Sequence, residues 1–370
     1  ASPTSPASWK PSPVAKASGM PSVRASVKGR RMKAVRVEED GGISVVEVEK
    51  PRIGAGEALV RTRVVGICGS DLLAWYAARK AGTILGHEVA GEVVEVGEGV
   101  TGFAPGDRVV PHHHAPCLQC DACRLGRYVH CAEWRSSRLD PGGMAELVRI
   151  PAGNLSRDTW KIPAGLTDEE ASFTEPLATV VKALRRASFG EGQSILVVGL
   201  GTAGQLAVRL ARARAASRIA AADAVASRAR LARESGADEV FQTSAGASGE
   251  IARLSGRRLY DVVFVSPGKI EAMREAASLV APGGTLLLFT MSGPGETWDV
   301  SPFDLYFREI RVVPSYSCGP DDTKESLGLI ASRRVAVADL VTHRFPVEEA
   351  ASAFARARDP NGSVKVVLTF

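Results

Sequence analysis

The chain has 370 residues, of which 45% are hydrophobic, 24% charged and 6% aromatic; this balance excludes a single small module and a disordered or fibrous polymer, and predicts two domains of ordinary size. No run approaches the roughly 18 uninterrupted apolar residues of a spanning helix, and the N-terminus lacks a secretory apolar core, so no membrane partner is expected. The formal charge of +5 is uneven: residues 1–31 hold Lys10, Lys16, Arg24, Lys28, Arg30 and Arg31 and no acid, leaving the remainder near neutral and without the basic, aromatic-laced stripe of a nucleic-acid binder.

The Ser-, Pro- and Ala-rich segment 1–31 has no apolar period and is expected to be a disordered tail, with the folded body starting at Met32. A cytoplasmic, reducing location is expected, although the acid-free tail equally fits an organelle transit segment or a vector-derived leader. From Met32 the chain alternates as short strands between Gly and Pro: residues 32–39, 43–49, 57–67, 88–100 and 107–110. This half carries Cys68, Ser70 and Asp71 in GICGSD and His87-Glu88 in GHEVAG; Glu175 follows in TEPLA. A thiolate, an imidazole and a carboxylate hold zinc with one position open, as catalysis requires, with Asp71 orienting a ligand and Ser70 offering a hydroxyl for proton relay. Taken singly, Cys68 fits a small buried apolar residue, His87 a turn histidine and the glutamates solvated charges equally well.

Between these motifs, Cys117, Cys120, Cys123 and Cys131 follow the pattern C-x2-C-x2-C-x7-C. Four thiolates close a tetrahedron and leave no place for water, the signature of a structural zinc rather than a disulfide framework. The neighbouring His112, His113 and His114 fit either an additional metal cluster or an ordinary loop, and with all four thiolate positions already supplied the loop is favoured.

From about Leu177 the pattern becomes Ala-rich helices alternating with apolar strands at 194–200, 217–223, 260–266, 284–290 and 308–314, which predicts a doubly wound parallel sheet. Gly199, Gly201 and Gly204, with Thr202 and Ala203 between them, form G-x-G-x-x-G directly after the first of these strands and at the head of a helix. That context marks a dinucleotide pyrophosphate site. Asp223 ends the next strand, where it accepts from a ribose 2′-hydroxyl and repels a 2′-phosphate; NAD is favoured over NADP. Arg228 fits either a 2′-phosphate contact or cover for the adenine face. Residues 363–370 return as a strand of the first domain.

GHEVAGEVVEVGEGV (86–100), with GICGSD, GDRVV, the four-cysteine loop, GGMAELVRIP, TEPLA and GLGTAG in the same order, resembles the zinc-dependent medium-chain alcohol dehydrogenases from Met32 to Phe370. Cys-Gly-Ser-Asp, Glu-Pro and LVTHRFPVEEAASAF resemble its sorbitol (polyol) and threonine dehydrogenase branch. The resemblance implies an α/β protein: a GroES-like catalytic domain over 32–176 and 315–370 with a structural zinc lobe, around a Rossmann domain over 177–314. It implies two zinc ions per chain, a nicotinamide coenzyme, a small alcohol or ketone substrate held at the open zinc position, Ser70 carrying off a proton, and a homodimer or homotetramer paired through the edge strand REIRVVP. Glu88 and Glu175 compete for the third ligand position, with Glu88 preferred. Trp75, Tyr76 and Tyr316 are expected along the substrate wall. In the polyol enzymes an Arg-Tyr pair helps hold the substrate; here the stretch is PSYSCGP, with Tyr316-Ser317, which puts sorbitol itself in doubt. An NADPH-dependent biosynthetic carbonyl reductase, a threonine dehydrogenase-like enzyme and a non-catalytic relative are the rival readings.

Overall fold

Short strands whose side chains alternate between core and solvent build the first half of the chain in the computed structural model, which describes residues 31–244 and 249–370. The expected disorder of the tail falls on residues 1–30, outside the described residues; Arg31 already belongs to β1 (Arg31–Val37), with its guanidinium on Glu47. β1 pairs antiparallel with β2 (Ile43–Glu49). A seven-stranded sheet then collects β3 (Ala58–Gly66), β4 (Glu88–Val96), β5 (Arg108–Pro111), β6 (Leu147–Ile150) and β7 (Thr159–Lys161).

The next strands are β8 (Ser194–Val198), β9 (Arg218–Asp223), β10 (Glu239–Gln242), β11 (Tyr260–Val265), β12 (Val280–Leu288) and β13 (Arg311–Pro314), all parallel to their neighbours. Their order in space is β10-β9-β8-β11-β12-β13. The chain therefore reverses direction of winding between β8 and β11, the switch point beside which such sheets bind ligands. The sequence returns to the first sheet through β14 (Val341–Pro346) and β15 (Lys365–Thr369), and β15 pairs with β3. Strands β6, β7 and β10, of three or four residues each, were not among the expected ones, because so short a segment shows no alternation of its own.

The helix Thr174–Arg186 ties the two sheets together. Its Leu177, Val180, Val181 and Leu184 recur at helical spacing on one face. They lie in one core with Val64, Ala90 and Val110 of the first sheet and Ile195 and Val197 of the second. Ser326 in the helix Pro320–Ala331 donates to the Thr174 carbonyl at 2.7 Å, fixing the end of the first helix that bears Glu175. Among the described residues no helix is long and apolar enough to cross a membrane.

Candidate active site

The cysteine lobe is built locally. Sulfurs sharing one tetrahedral zinc stand roughly 3.8 Å apart. Here Cys117 and Cys123 are 3.9 Å apart and Cys120 and Cys123 3.5 Å, and the ligand atoms of all four cysteines lie within 4.8 Å of one another. The Gln119 and Cys120 N–H groups point at the Cys117 sulfur and lower its thiol to about 6, whereas burial pushes Cys123 up to about 12. The residues present fit a closed, four-thiolate zinc site.

The second cluster is assembled by strand register. Cys68 follows β3, and His87 and Glu88 meet it because Glu88 stands opposite Gly66 in the β3–β4 ladder. A side chain at Gly66 is excluded: its Cβ would lie 1.9 Å from Glu88 Oε2 and 2.9 Å from Lys365 Cε. The space holds the buried Glu88–Lys365 ion pair, and Lys365 Nζ also donates to the Ile67 carbonyl at 3.2 Å. The donor atoms of Cys68, His87 and Glu88 lie within 4.8 Å of one another, the thiolate–imidazole–carboxylate set that suits zinc with a position left open.

Asp71 backs this set. It is buried, accepts from Lys80 Nζ at 2.8 Å, and turns its other oxygen, which has no hydrogen-bond partner, to 3.9 Å from His87 Nδ1. Burial disfavours a charged His87, but the Cys68 sulfur, Asp71 and Glu175 outweigh it and raise the imidazole to about 10 without an ion. The Ser70 hydroxyl donates to Cys68 Sγ at 3.3 Å. Trp75 and Tyr76 pack edge to face at 5.6 Å between centroids, with Lys80 Nζ 4.5 Å over the Tyr76 ring. Tyr316 is half-exposed and rests edge-on against Trp134 at 5.8 Å.

Glu175 falls into a different group. Its carboxylate lies within 4.8 Å of donor atoms of His112 and Cys318, not in the Cys68 set. Burial raises its carboxyl, as does Glu88, while His87 and His112 pull it down. His112, in the loop after β5, and Cys318, which stands in no sequence motif, are both buried in the interior. His112 Nδ1 meets Asp158 Oδ2 at 2.7 Å, and its Nε2 lies 3.5 Å from Cys318 Sγ. No spacing in the sequence joins residues 112, 158 and 318. Lys80 and Lys365 were missed for the same reason.

At the switch point the glycine turn forms a cradle. A Cβ on Gly204 would stand 2.0 Å from the Gly199 carbonyl, and one on Gly199 2.7 Å from Pro267 Cδ, whereas Gly201 is open apart from Arg228 Nη1 at 3.8 Å. Thr202 and Ala203 start the helix Thr202–Ala213, whose N-terminal N–H groups face that opening. The backbone thus leaves room where a pyrophosphate is expected. Asp223 Oδ2 accepts from Leu200 N–H at 2.6 Å and Oδ1 from Val225 N–H at 2.8 Å. A carboxylate has about four lone-pair sites, so capacity for a ribose hydroxyl remains. Arg228 donates from Nε and Nη2 to the Ser363 carbonyl at 3.0 and 2.7 Å, and Thr202 Oγ1 to the Val364 carbonyl at 2.7 Å, bracing the turn against the returning segment.

Two family models match the chain: an alcohol dehydrogenase GroES-like domain over residues 54–163 and a zinc-binding dehydrogenase over residues 203–332. D-altritol 5-dehydrogenase of Agrobacterium fabrum is 30% identical over 343 residues, covering 90% of this chain and 98% of that protein. Sorbitol dehydrogenase of Bombyx mori is 31% identical over 344 residues, covering 88% and 96%. Among solved structures, a zinc-binding dehydrogenase of Sinorhizobium meliloti 1021 bound to NADP superposes with a TM-score of 0.81 at 30% identity, covering 92% of this chain and all of the other.

Proposed function

The chain belongs to the zinc-dependent medium-chain alcohol dehydrogenases, oxidoreductases that act on CH–OH groups, and from that premise we propose that it interconverts a secondary alcohol of a polyol or sugar-like substrate and its ketone, with NAD as the hydride acceptor. The observation that carries this reading is the convergence of Cys68, His87 and Glu88 donors within 4.8 Å of one another beside the Ser70 hydroxyl. Curated relatives that act on altritol and sorbitol support the polyol class.

In this reading Cys68, His87 and Glu88 hold one zinc ion and the four cysteines of the lobe hold another. When bound, the active-site ion supplies Lewis acidity that lowers the pKa of a substrate hydroxyl. The protein's own groups do the rest. Asp71 supplies a negative charge 3.9 Å from His87 Nδ1, and Lys365 holds the Glu88 carboxylate in place when substrate exchanges. Ser70 takes up the hydroxyl proton and passes it outward. Trp75, Tyr76 and Tyr316 line the approach and present flat apolar faces with polar edges to a polyhydroxylated chain. Asp223 favours NAD by meeting a free 2′-hydroxyl and repelling a 2′-phosphate, and Arg228 serves the brace to Ser363 rather than phosphate recognition.

The division into a catalytic part, 32–176 with 315–370, and a coenzyme part, 177–314, belongs to the same proposal. So does a homodimer or homotetramer: β13 is a sheet edge, and the helix Pro302–Arg308 before it exposes Phe303, Tyr306 and Phe307 at 69%, 76% and 67%. Thiolate ligand sets of this kind favour a reducing, cytoplasm-like compartment. A panel of polyols, cyclitols and amino alcohols assayed for NAD and NADP reduction tests the reading. Turnover restricted to polyols with NAD is expected; turnover of 3-hydroxy amino acids alone moves the chain to the threonine dehydrogenase type.

A further inference from the structure

Beyond the two ions of the proposed enzyme, the geometry points to a third cation site, a zinc position formed by Cys318 Sγ, His112 Nε2 and the Glu175 carboxylate. These are three different donor types from three distant parts of the chain: the loop after β5, the first turn of the helix Thr174–Arg186, and the loop after β13. Sulfur and nitrogen ligands of one tetrahedral zinc stand roughly 3.6 Å apart, given metal bonds of about 2.3 and 2.05 Å. Cys318 Sγ and His112 Nε2 are 3.5 Å apart, and all three donor atoms lie within 4.8 Å of one another.

The surroundings have the form of a metal site. His112 turns Nε2 inward because its Nδ1 is held by Asp158 at 2.7 Å, the carboxylate–histidine arrangement that fixes tautomer and ring orientation in zinc proteins. Asp158 is itself fixed by Thr323, which also accepts from Trp160 Nε1 at 2.9 Å. A void of about 10 Å3 borders His112 and Glu175, together with His87 and Thr323.

The test is diffraction at the zinc absorption edge from the full chain crystallised after equilibration with Zn2+ alone, together with elemental analysis of the same preparation. An anomalous peak among Cys318, His112 and Glu175, and one zinc per chain more than the lobe and Cys68 positions hold, are expected. Cys318→Ser should remove that peak and one ion per chain while the other peaks persist. If that variant does not fold, the wild-type map still decides. Zinc at the lobe and at Cys68 but none at Cys318 overturns the inference and leaves Cys318 as a buried hydrogen-bonding thiol. An empty Cys68 position with a filled lobe is instead a failure of the proposed function, so the two outcomes are distinct.

Discussion

The lobe Cys117–Cys131 draws all four donors from one fifteen-residue loop near the surface, whereas the cluster around Cys68 takes its groups from the ends of β3, β4 and β15, almost 300 residues apart. Both offer thiolates to a metal. In the lobe, ligand distances follow from two-residue gaps and from backbone N–H groups aimed at sulfur, so the site is set by local chain geometry. In the interior they follow from strand register and from a Gly66 that leaves room for a buried ion pair. Damage to the lobe should therefore be felt as lost stability, and damage to the interior cluster as lost chemistry.

The largest effect expected from this contrast is that of Cys68→Ser. Removing one ligand at the open site withdraws several kcal/mol of transition-state stabilisation, at least about a thousandfold in turnover, with little change in the far-UV spectrum. Turnover within tenfold of wild type would break the comparison, because the interior cluster would then be structural too. Next comes Lys365→Met. In protein stripped of metal, Glu88 would be left as a buried charge without its partner, a loss of about 3–5 kcal/mol by urea unfolding, and a smaller loss is expected once zinc is restored. Glu88→Gln in the same chain should restore part of that stability but not turnover, which separates the ion pair from the metal ligand.

Cys117→Ser should act in the opposite sense. One zinc per chain is lost and stability falls by about 1–3 kcal/mol, while turnover per folded molecule stays within a few-fold of wild type. The measurements are metal content, a denaturation curve and kcat on the soluble fraction. If kcat falls as far as it does for Cys68→Ser, the lobe is coupled to the chemistry and the two regions are not independent.

How much was legible in the sequence follows the same division. Spacing alone reveals the lobe, and strand, glycine turn and helix together reveal the cradle at Gly199–Gly204, because each is a feature of consecutive residues. Cys68, His87 and Glu88 are visible only as separate motifs, and nothing local says that they meet. Lys365, Asp158 and Cys318 carry no motif: what makes Lys365 a partner of Glu88 is that β15 lies beside β3, a long-range pairing that no window of sequence contains. The His112–His114 run lies in a loop, as expected, but its members differ in ways the sequence does not show. Three consecutive histidines look alike in sequence, but the fold gives only His112 the Asp158 carboxylate.

The smallest effect is expected at the coenzyme, where the site is again legible from consecutive residues but its selectivity rests on one carboxylate. Asp223 accepts from Leu200 and Val225 N–H groups, so it stabilises the glycine turn as well as facing the ribose position. In Asp223→Ser the hydroxyl can replace at most part of that bonding, and the repulsion of a 2′-phosphate disappears. A hydrogen bond to a charged group contributes about 1.5–3 kcal/mol, so the ratio of kcat/KM for NAD over NADP should fall by at least roughly tenfold. The loss should come from weaker use of NAD and better use of NADP together. Arg228→Ala separates the two functions of the turn. If Arg228 only braces Ser363, the variant loses affinity for both coenzymes alike; a loss confined to NADP would assign the guanidinium to phosphate recognition and reverse the expected preference.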